Sequence, residues 1–186
     1  ISVDEVDEAV EYICGGVYDT EPRDVLGLKV KGGNFPGFTY GLNEVGVHKT
    51  DSSSMLKIHA YIGDIYLTTY WADGLIVATP TGSTAYSMAA GGPILDSQTK
   101  GVVVTPICPH SLASPAMVFA QERKLNICVG QVADGEVFIS CDGAAGFPLK
   151  AGATAEVRLS DQVVQLITFS KADQFQAIDQ KLRSRR

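Results

Sequence analysis

Asp73-Gly74-Leu75-Ile76-Val77-Ala78-Thr79-Pro80-Thr81-Gly82-Ser83-Thr84-Ala85-Tyr86 is the stretch on which the reading of this chain turns. Gly74 to Ala78 is a continuous β-type run. Thr79 to Thr84 packs hydroxyls around one Pro and one Gly, and Ala85 to Ala90 has helix-like character. The order predicts a strand, a tight turn and the start of a short helix. The turn's hydroxyls and free backbone N–H groups are expected to converge on one spot. Helix N-termini carry unsatisfied donors and partial positive charge, so such a spot suits a phosphate or another polar ligand. It is not a Walker A loop, because no Lys follows the glycine.

Strand signals continue on both sides. Val25 to Val30 and Gly41 to His48 are candidates upstream, with Asn43-Glu44 expected mid-strand. In Leu56 to Ile62 the residues Leu56, Ile58, Ala60 and Ile62 share one face, and Gly63-Asp64 joins this run to Ile65–Tyr70 as a two-residue hairpin. Downstream candidates are Val102 to Thr105, Lys124 to Val129, Glu136 to Cys141, Thr154 to Leu159 and Val163 to Phe169, separated by Asp134-Gly135, Asp142-Gly143 and Ala151-Gly152. Many short strands predict a mainly β, β-sandwich-like domain with a short helix after the Thr/Gly-rich turn, plus terminal helices. At the front, Val3, Val6, Ala9, Val10 and Ile13 form a helical stripe that Gly15-Gly16 ends, with Thr20-Glu21-Pro22 read as linker. At the back, Ala172 to Leu182 reads as a last helix.

The 186 residues suffice for one domain burying roughly 70% of its unfolded surface. Hydrophobic content of 45% with 19% charged residues is ordinary for a globular protein. A net charge of −6 argues against nucleic acid as the main partner, which requires a dense basic patch. The one basic cluster, Lys181 to Arg186, reads as a solvated tail. No apolar run is long enough to span a bilayer, and the acidic start lacks the basic and apolar regions of a signal peptide, so a cytoplasmic protein without a membrane partner is expected. Cys14, Cys108, Cys128 and Cys141 are scattered and expected reduced, Cys128 and Cys141 as small buried hydrophobes. The chain opens on Ile1 inside a helix, which suggests the back half of a longer protein.

The wording of the central stretch, with Gly91-Gly92-Pro93 after it, resembles the signature of the NAD kinases. Leu42-Asn43-Glu44-Val45 upstream and Thr105-Pro106-Ile107-Cys108-Pro109-His110-Ser111-Leu112 downstream agree in the family's order, and a weaker likeness continues through Asp142-Gly143. The resemblance implies the C-terminal part of an α/β + β two-domain enzyme: 1–24 a helix and linker from a preceding α/β domain, 25–170 a β-rich dinucleotide-binding domain, and 171–186 a tail packing back on the N-terminal side. It implies ATP-dependent phosphorylation of the adenosine 2′-hydroxyl of NAD to give NADP, with Mg²⁺, in a homo-oligomer.

Site roles follow by the same resemblance. Asn43 and Glu44 would line the dinucleotide site, Asn43 offering donor and acceptor to an adenine edge and Glu44 holding a ribose hydroxyl or helping to place a metal. Asp73 would contact the nicotinamide half. Thr84, Ala85, Tyr86 and Ala89 would surround the adenosine, and His110 would lie near the active site. On chemistry alone each has a plainer reading: a strand edge for Asn43-Glu44, a turn for Asp73, a core aromatic for Tyr86, a solvated loop for His110. The histidines lack metal-binding spacing, and no metal ligand is assigned.

Two departures from the family matter. No Gly-Gly-Asp-Gly occurs, so the base for the 2′-hydroxyl is expected in an N-terminal half outside this sequence. Ser114 precedes Pro115 where the family usually carries an Arg, so no charge contact is carried over from that loop. Two other classes stand beside the kinase. One is a non-catalytic nucleotide-binding or oligomerisation module. The other is a serine hydrolase built on Ser83, His110 and Asp73, which the absent Gly-x-Ser-x-Gly elbow argues against.

Overall fold

The computed structural model describes residues 3–31, 39–50, 55–111, 113–129, 137–144, 146–150 and 152–169. In chain order they form α1 (Val6–Gly15), β1 (Asp19–Lys31), β2 (Tyr40–Gly41), β3 (Glu44–Lys49), β4 (Leu56–Ile62), β5 (Ile65–Ala72), β6 (Gly74–Ala78), α2 (Tyr86–Ala89), β7 (Gly101–Ile107), β8 (Met117–Ala120), β9 (Leu125–Val129), β10 (Val137–Cys141), β11 (Phe147–Leu149) and β12 (Thr154–Thr168). Short 3₁₀ turns, Val3–Glu5 and Thr81–Thr84, precede the two helices. The chain divides into two compact units, Asp24–Gln162 and a second made of Ile1–Arg23 with Val163–Arg186.

The larger unit is a sandwich. One sheet runs β2-β1-β12-β9-β4-β5 and the other β11-β10-β3-β6-β7-β8. Their inner faces share one core, in which Leu26, Leu56, Ile58, Tyr70 and Ile127 of the first sheet meet Val45, Val47, Leu75, Val77 and Ile139 of the second. Alternation along the strands builds it: β4 buries Leu56, Ile58 and Ala60 and turns Lys57 and His59 outward. The β4–β5 hairpin forms as its sequence predicts, with Gly63 at φ 60° and Ile62 opposite Ile65.

The second sheet differs. Every residue of β6 is buried, and so are six of the seven in β7, because the Thr/Gly turn and the chain after it cover its outer face. Ile76, Ala78 and Val103 form a small second core there with Ala90, Leu95 and Ile107. Strands buried on both faces lose the alternation that marks a half-buried strand.

In the smaller unit, α1 ends at Gly16 in the left-handed region, φ 70°, as Gly15-Gly16 predicts. It buries only Ala9, and Tyr12 packs against Phe169 at 5.9 Å.

Three expectations need correction. Thr20-Glu21-Pro22 is not a linker but part of β1, which starts at Asp19. The run from Gly41 to His48 is broken by a bend at Leu42-Asn43, so Asn43 precedes a strand instead of lying within one. Thr154–Leu159 and Val163–Phe169 are one continuous strand, since Ser160-Asp161-Gln162 stays extended despite its turn-like composition. β8 and β11 carry no clear sequence signal; β11 contains Pro148, tolerated because it lies at a sheet edge. The helix expected over Ala172–Leu182 lies outside the described residues.

Candidate functional site

The Thr79–Tyr86 turn spends its polar groups on itself. Thr79 donates its hydroxyl to the Leu42 carbonyl at 2.7 Å, accepts the Gly82 N–H at 3.0 Å, and donates its own N–H to the Asn43 carbonyl at 2.9 Å. Ser83 donates to the Pro80 carbonyl at 2.6 Å and accepts the Leu95 N–H at 3.0 Å. Ser87 pairs with Thr105 at 2.9 Å. Thr79, Ser83 and Ser87 are completely buried. Gly82 is required for closeness: a β-carbon there would drive into the Asn43 backbone. The expected helix is a 3₁₀ turn followed by the four residues of α2, too short for a strong dipole. The hydroxyls of Thr79 and Ser83 are therefore scaffold and do not face a ligand. Buried Ser83, bonded on both sides, is no nucleophile.

What the scaffold positions is the bend at Asn43. On its other side stands Asp142, in the left-handed region at φ 50° just after β10. Its carboxylate accepts three successive backbone N–H groups: Leu42 at 2.6 Å, Asn43 at 2.8 Å and Glu44 at 2.9 Å. Its own N–H donates to the Glu44 carbonyl at 2.9 Å. The Asn43-Glu44 bend is thus clamped between Thr79 and Asp142.

Glu44 points out of the sandwich core into the space beside α2. Its carboxylate accepts the Tyr86 backbone N–H, while Oε2 is buried without a hydrogen-bond partner. Burial pushes its pKa up, the Asp142 charge adds to this, and the Tyr86 N–H opposes both. A buried, unpartnered carboxylate oxygen is costly, and a hydroxyl donor from a ligand would satisfy it.

Along β3 the same outward face carries Glu44, Gly46 and His48, while Val45 and Val47 enter the core. The His48 ring folds over Gly46, where any β-carbon would collide with it. His48 lies 6.0 Å from Tyr86, ring planes tilted 31°. Burial lowers its pKa and favours the neutral imidazole. Tyr86 is 43% exposed, and Ala85 and Ala89 are exposed beside it with Thr84 partly so. A half-covered aromatic next to an unsatisfied carboxylate offers a stacking face and an acceptor for a nucleoside.

Asp73 and His110 sit at the other end of β6. Glu44 pairs with Ala78 and His48 with Gly74, so Asp73, five residues from Ala78, lies about 17 Å from Glu44 along the strand by its rise. Asp73 is paired with Lys49 at 2.6 Å, so its charge is already balanced within the protein. The exposed His110 donates its backbone N–H to the Trp71 carbonyl at 2.8 Å, which brings its loop alongside Asp73 and not alongside Glu44. No cluster of three acidic, His or Cys residues able to hold a metal occurs among the described residues.

Sequence reasoning missed Asp142, His48 and Lys49. Period-two alternation from Glu44 does place His48 on the same face. For Asp142 only the Asp-Gly pair was visible, and nothing local announces a partner 98 residues away.

The family model for the ATP-NAD kinase C-terminal domain matches residues 42–169. The NAD kinase of Carboxydothermus hydrogenoformans is 34% identical over 96% of this chain and 64% of its own length. That of Bacteroides fragilis is 42% identical over 69% of this chain and 44% of its own. Among solved structures, yeast NADH kinase complexed with NADH superimposes with a TM-score of 0.86 at 26% identity, over 96% of this chain and 53% of that one. An Archaeoglobus fulgidus NAD kinase in complex with ATP shares the fold, with a TM-score of 0.74 at 22% identity. The chain spans about half to two thirds of the length of these relatives. A two-sheet sandwich whose Thr/Gly turn and Asp-Gly corner clamp an Asn-Glu bend thus agrees with sequence and fold comparison alike, and the chain belongs to the NAD kinase family, as its C-terminal domain.

Proposed function

We propose that this chain forms the dinucleotide-reading wall of an enzyme that transfers the γ-phosphoryl of ATP to the adenosine 2′-hydroxyl of NAD. The observation that carries this reading is Glu44: its buried, unpartnered Oε2 beside the half-exposed Tyr86 ring is built to receive a hydroxyl donor next to a flat, stackable group. Asn43, held in place by Asp142, offers both donor and acceptor to a base edge. Asp73 with Lys49 marks the nicotinamide end, and Thr84, Ala85, Ala89 and His110 complete the wall.

Phosphoryl transfer depends chiefly on positioning and charge neutralisation, and this wall contributes positioning. It holds the adenosine ribose so that its 2′-hydroxyl faces outward from Glu44. We place the base for that hydroxyl, and the ligands of the Mg²⁺ that accompanies ATP, outside the residues described. The metal's contribution is to neutralise phosphate charge. Homo-oligomerisation and a cytoplasmic location belong to the same proposal.

The test is NADP formation from NAD, ATP and Mg²⁺ by the protein in which this domain is joined to an α/β half. Turnover that Glu44→Gln reduces at least about tenfold, the worth of one hydrogen bond to a charged group, is the expected result. NAD binding without turnover would favour a non-catalytic nucleotide-binding module.

A further inference from the structure

The outer face of the other sheet carries a cleft of about 270 Å³ with Gly27 on its floor. Lys29, Lys124 and Arg158 stand around it, with Tyr40 and Ser160 adding hydroxyls, and one carboxylate, Glu156, also lines it but is paired with Lys31 at 3.6 Å. Four other basic residues, Arg23, Lys31, Lys49 and Lys100, are paired with Glu21, Glu156, Asp73 and Asp24, and Lys57 lies over the Trp71 ring. Lys29, Lys124 and Arg158 have no ion pair among the described residues. In a chain of net charge −6, three unpaired cations meeting over one cleft is a costly arrangement. The ladder enforces it, because Val157 pairs with Leu125 and so brings Arg158 beside Lys124.

Gly27 supplies an independent observation. It lies within β1, where glycine weakens a strand and often marks a close approach by another group. Its φ is not in the left-handed region, and a β-carbon would meet only the Arg158 carbonyl at 3.8 Å and the Ser160 β-carbon at 3.9 Å. The fold leaves room for a side chain that the sequence does not supply, and the space left open is the floor of the cleft.

We infer that this cleft binds a pyrophosphate-bearing anion, seated over Gly27 and held by Lys29, Lys124 and Arg158. Three cations balance most of the charge of two linked phosphates, and the hydroxyls add neutral donors. The anion belongs on the Lys29 side, since Glu122 and Asp161 line the adjoining depression.

Inorganic pyrophosphate titrated into the protein and followed calorimetrically tests this. Binding is expected, about tenfold weaker in Arg158→Gln and in Lys124→Gln and lost in Gly27→Val, as each removes a charged contact or fills the seat. The unliganded melting temperature of Gly27→Val should stay level or rise, and exposed Arg158→Gln remains informative if it does not. Displacement of pyrophosphate by ADP would assign a nucleotide tail and absence of displacement the free anion, each supporting the site. Binding untouched by these variants, lost instead in Tyr86→Ala, or matched by chloride at equal ionic strength would overturn it.

Discussion

The two sheets of the larger unit share a core but differ on their outer faces. β6 is buried at every position, whereas β4 buries alternate residues and shows the rest to solvent. The difference comes from what lies on top. The second sheet is roofed by the Thr79–Tyr86 turn and its continuation, and the candidate nucleotide site forms where that roof meets β3. Among the described residues nothing roofs the first sheet, and its outer face carries, at Gly27, a separate cleft. Closeness is required on one side and optional on the other.

The same substitution in the roof of the second sheet and on the open face of the first should therefore have opposite outcomes. Gly82→Ala forces a methyl into the Asn43 backbone and should cost about 3 kcal/mol, measured by denaturant unfolding. Gly27→Ala fills open space in a strand and should gain roughly 0.5–1 kcal/mol. Equal effects would break the comparison.

Asp142→Ala comes next, removing the acceptor of three backbone N–H groups. Because Asp142 is solvent-exposed, water takes over part of the loss, and about 2 kcal/mol is expected. Asp142→Asn, which keeps one acceptor oxygen, should cost less. An unchanged denaturation midpoint for the Ala variant would show that the Asn43 bend does not need its clamp.

Tyr70 sharpens the contrast from within the shared core. Its hydroxyl is buried without a partner, and burial pushes its pKa up to about 12. Tyr70→Phe should stabilise by about 1 kcal/mol, because an unsatisfied polar group leaves the core while the ring stays. A loss of stability would reveal a bound water.

The smallest effects are in pH. Glu44 has a folded pKa above its ordinary value of 4.5, so the folded state holds its proton longer. Its contribution to stability is then present at low pH and declines as pH rises through the raised folded value. Glu44→Gln should flatten that decline. His48 is depressed from 6.5, so its contribution is present above that value and lost as pH falls through the window below it. Melting temperatures from pH 4 to 8, an interval chosen to bracket both ordinary values, check both slopes.

Much of this architecture was legible in the sequence, and the gaps have physical causes. The β4–β5 hairpin could be read because its apolar residues alternate and its turn is Gly-Asp. The β3 boundary could not, since the bend at Asn43 is imposed by Asp142 and Thr79, both remote in sequence. Motif wording singled out Asn43, Glu44 and Tyr86, which the fold brings together at one end of β3. It could not show that Thr79 and Ser83 are internally satisfied, because a hydroxyl's partner is decided by folding. Asp73 was legible as a carboxylate but not as half of an ion pair, since Lys49 reaches it only through the β3–β6 register.

The central claim, that β3 and the α2 roof form a nucleotide wall, is tested most directly by the melting temperature with and without saturating NAD. A ligand at a hundred times its Kd adds about 2.7 kcal/mol, and each kcal/mol is worth about 2–4 °C in a chain of this size. The account predicts a clear rise that Glu44→Gln and Tyr86→Ala each cut by about half or more, since tenfold weaker binding leaves about 1.4 kcal/mol, while leaving the unliganded fold intact. No rise with the native chain, or a rise that both variants keep in full, would contradict it.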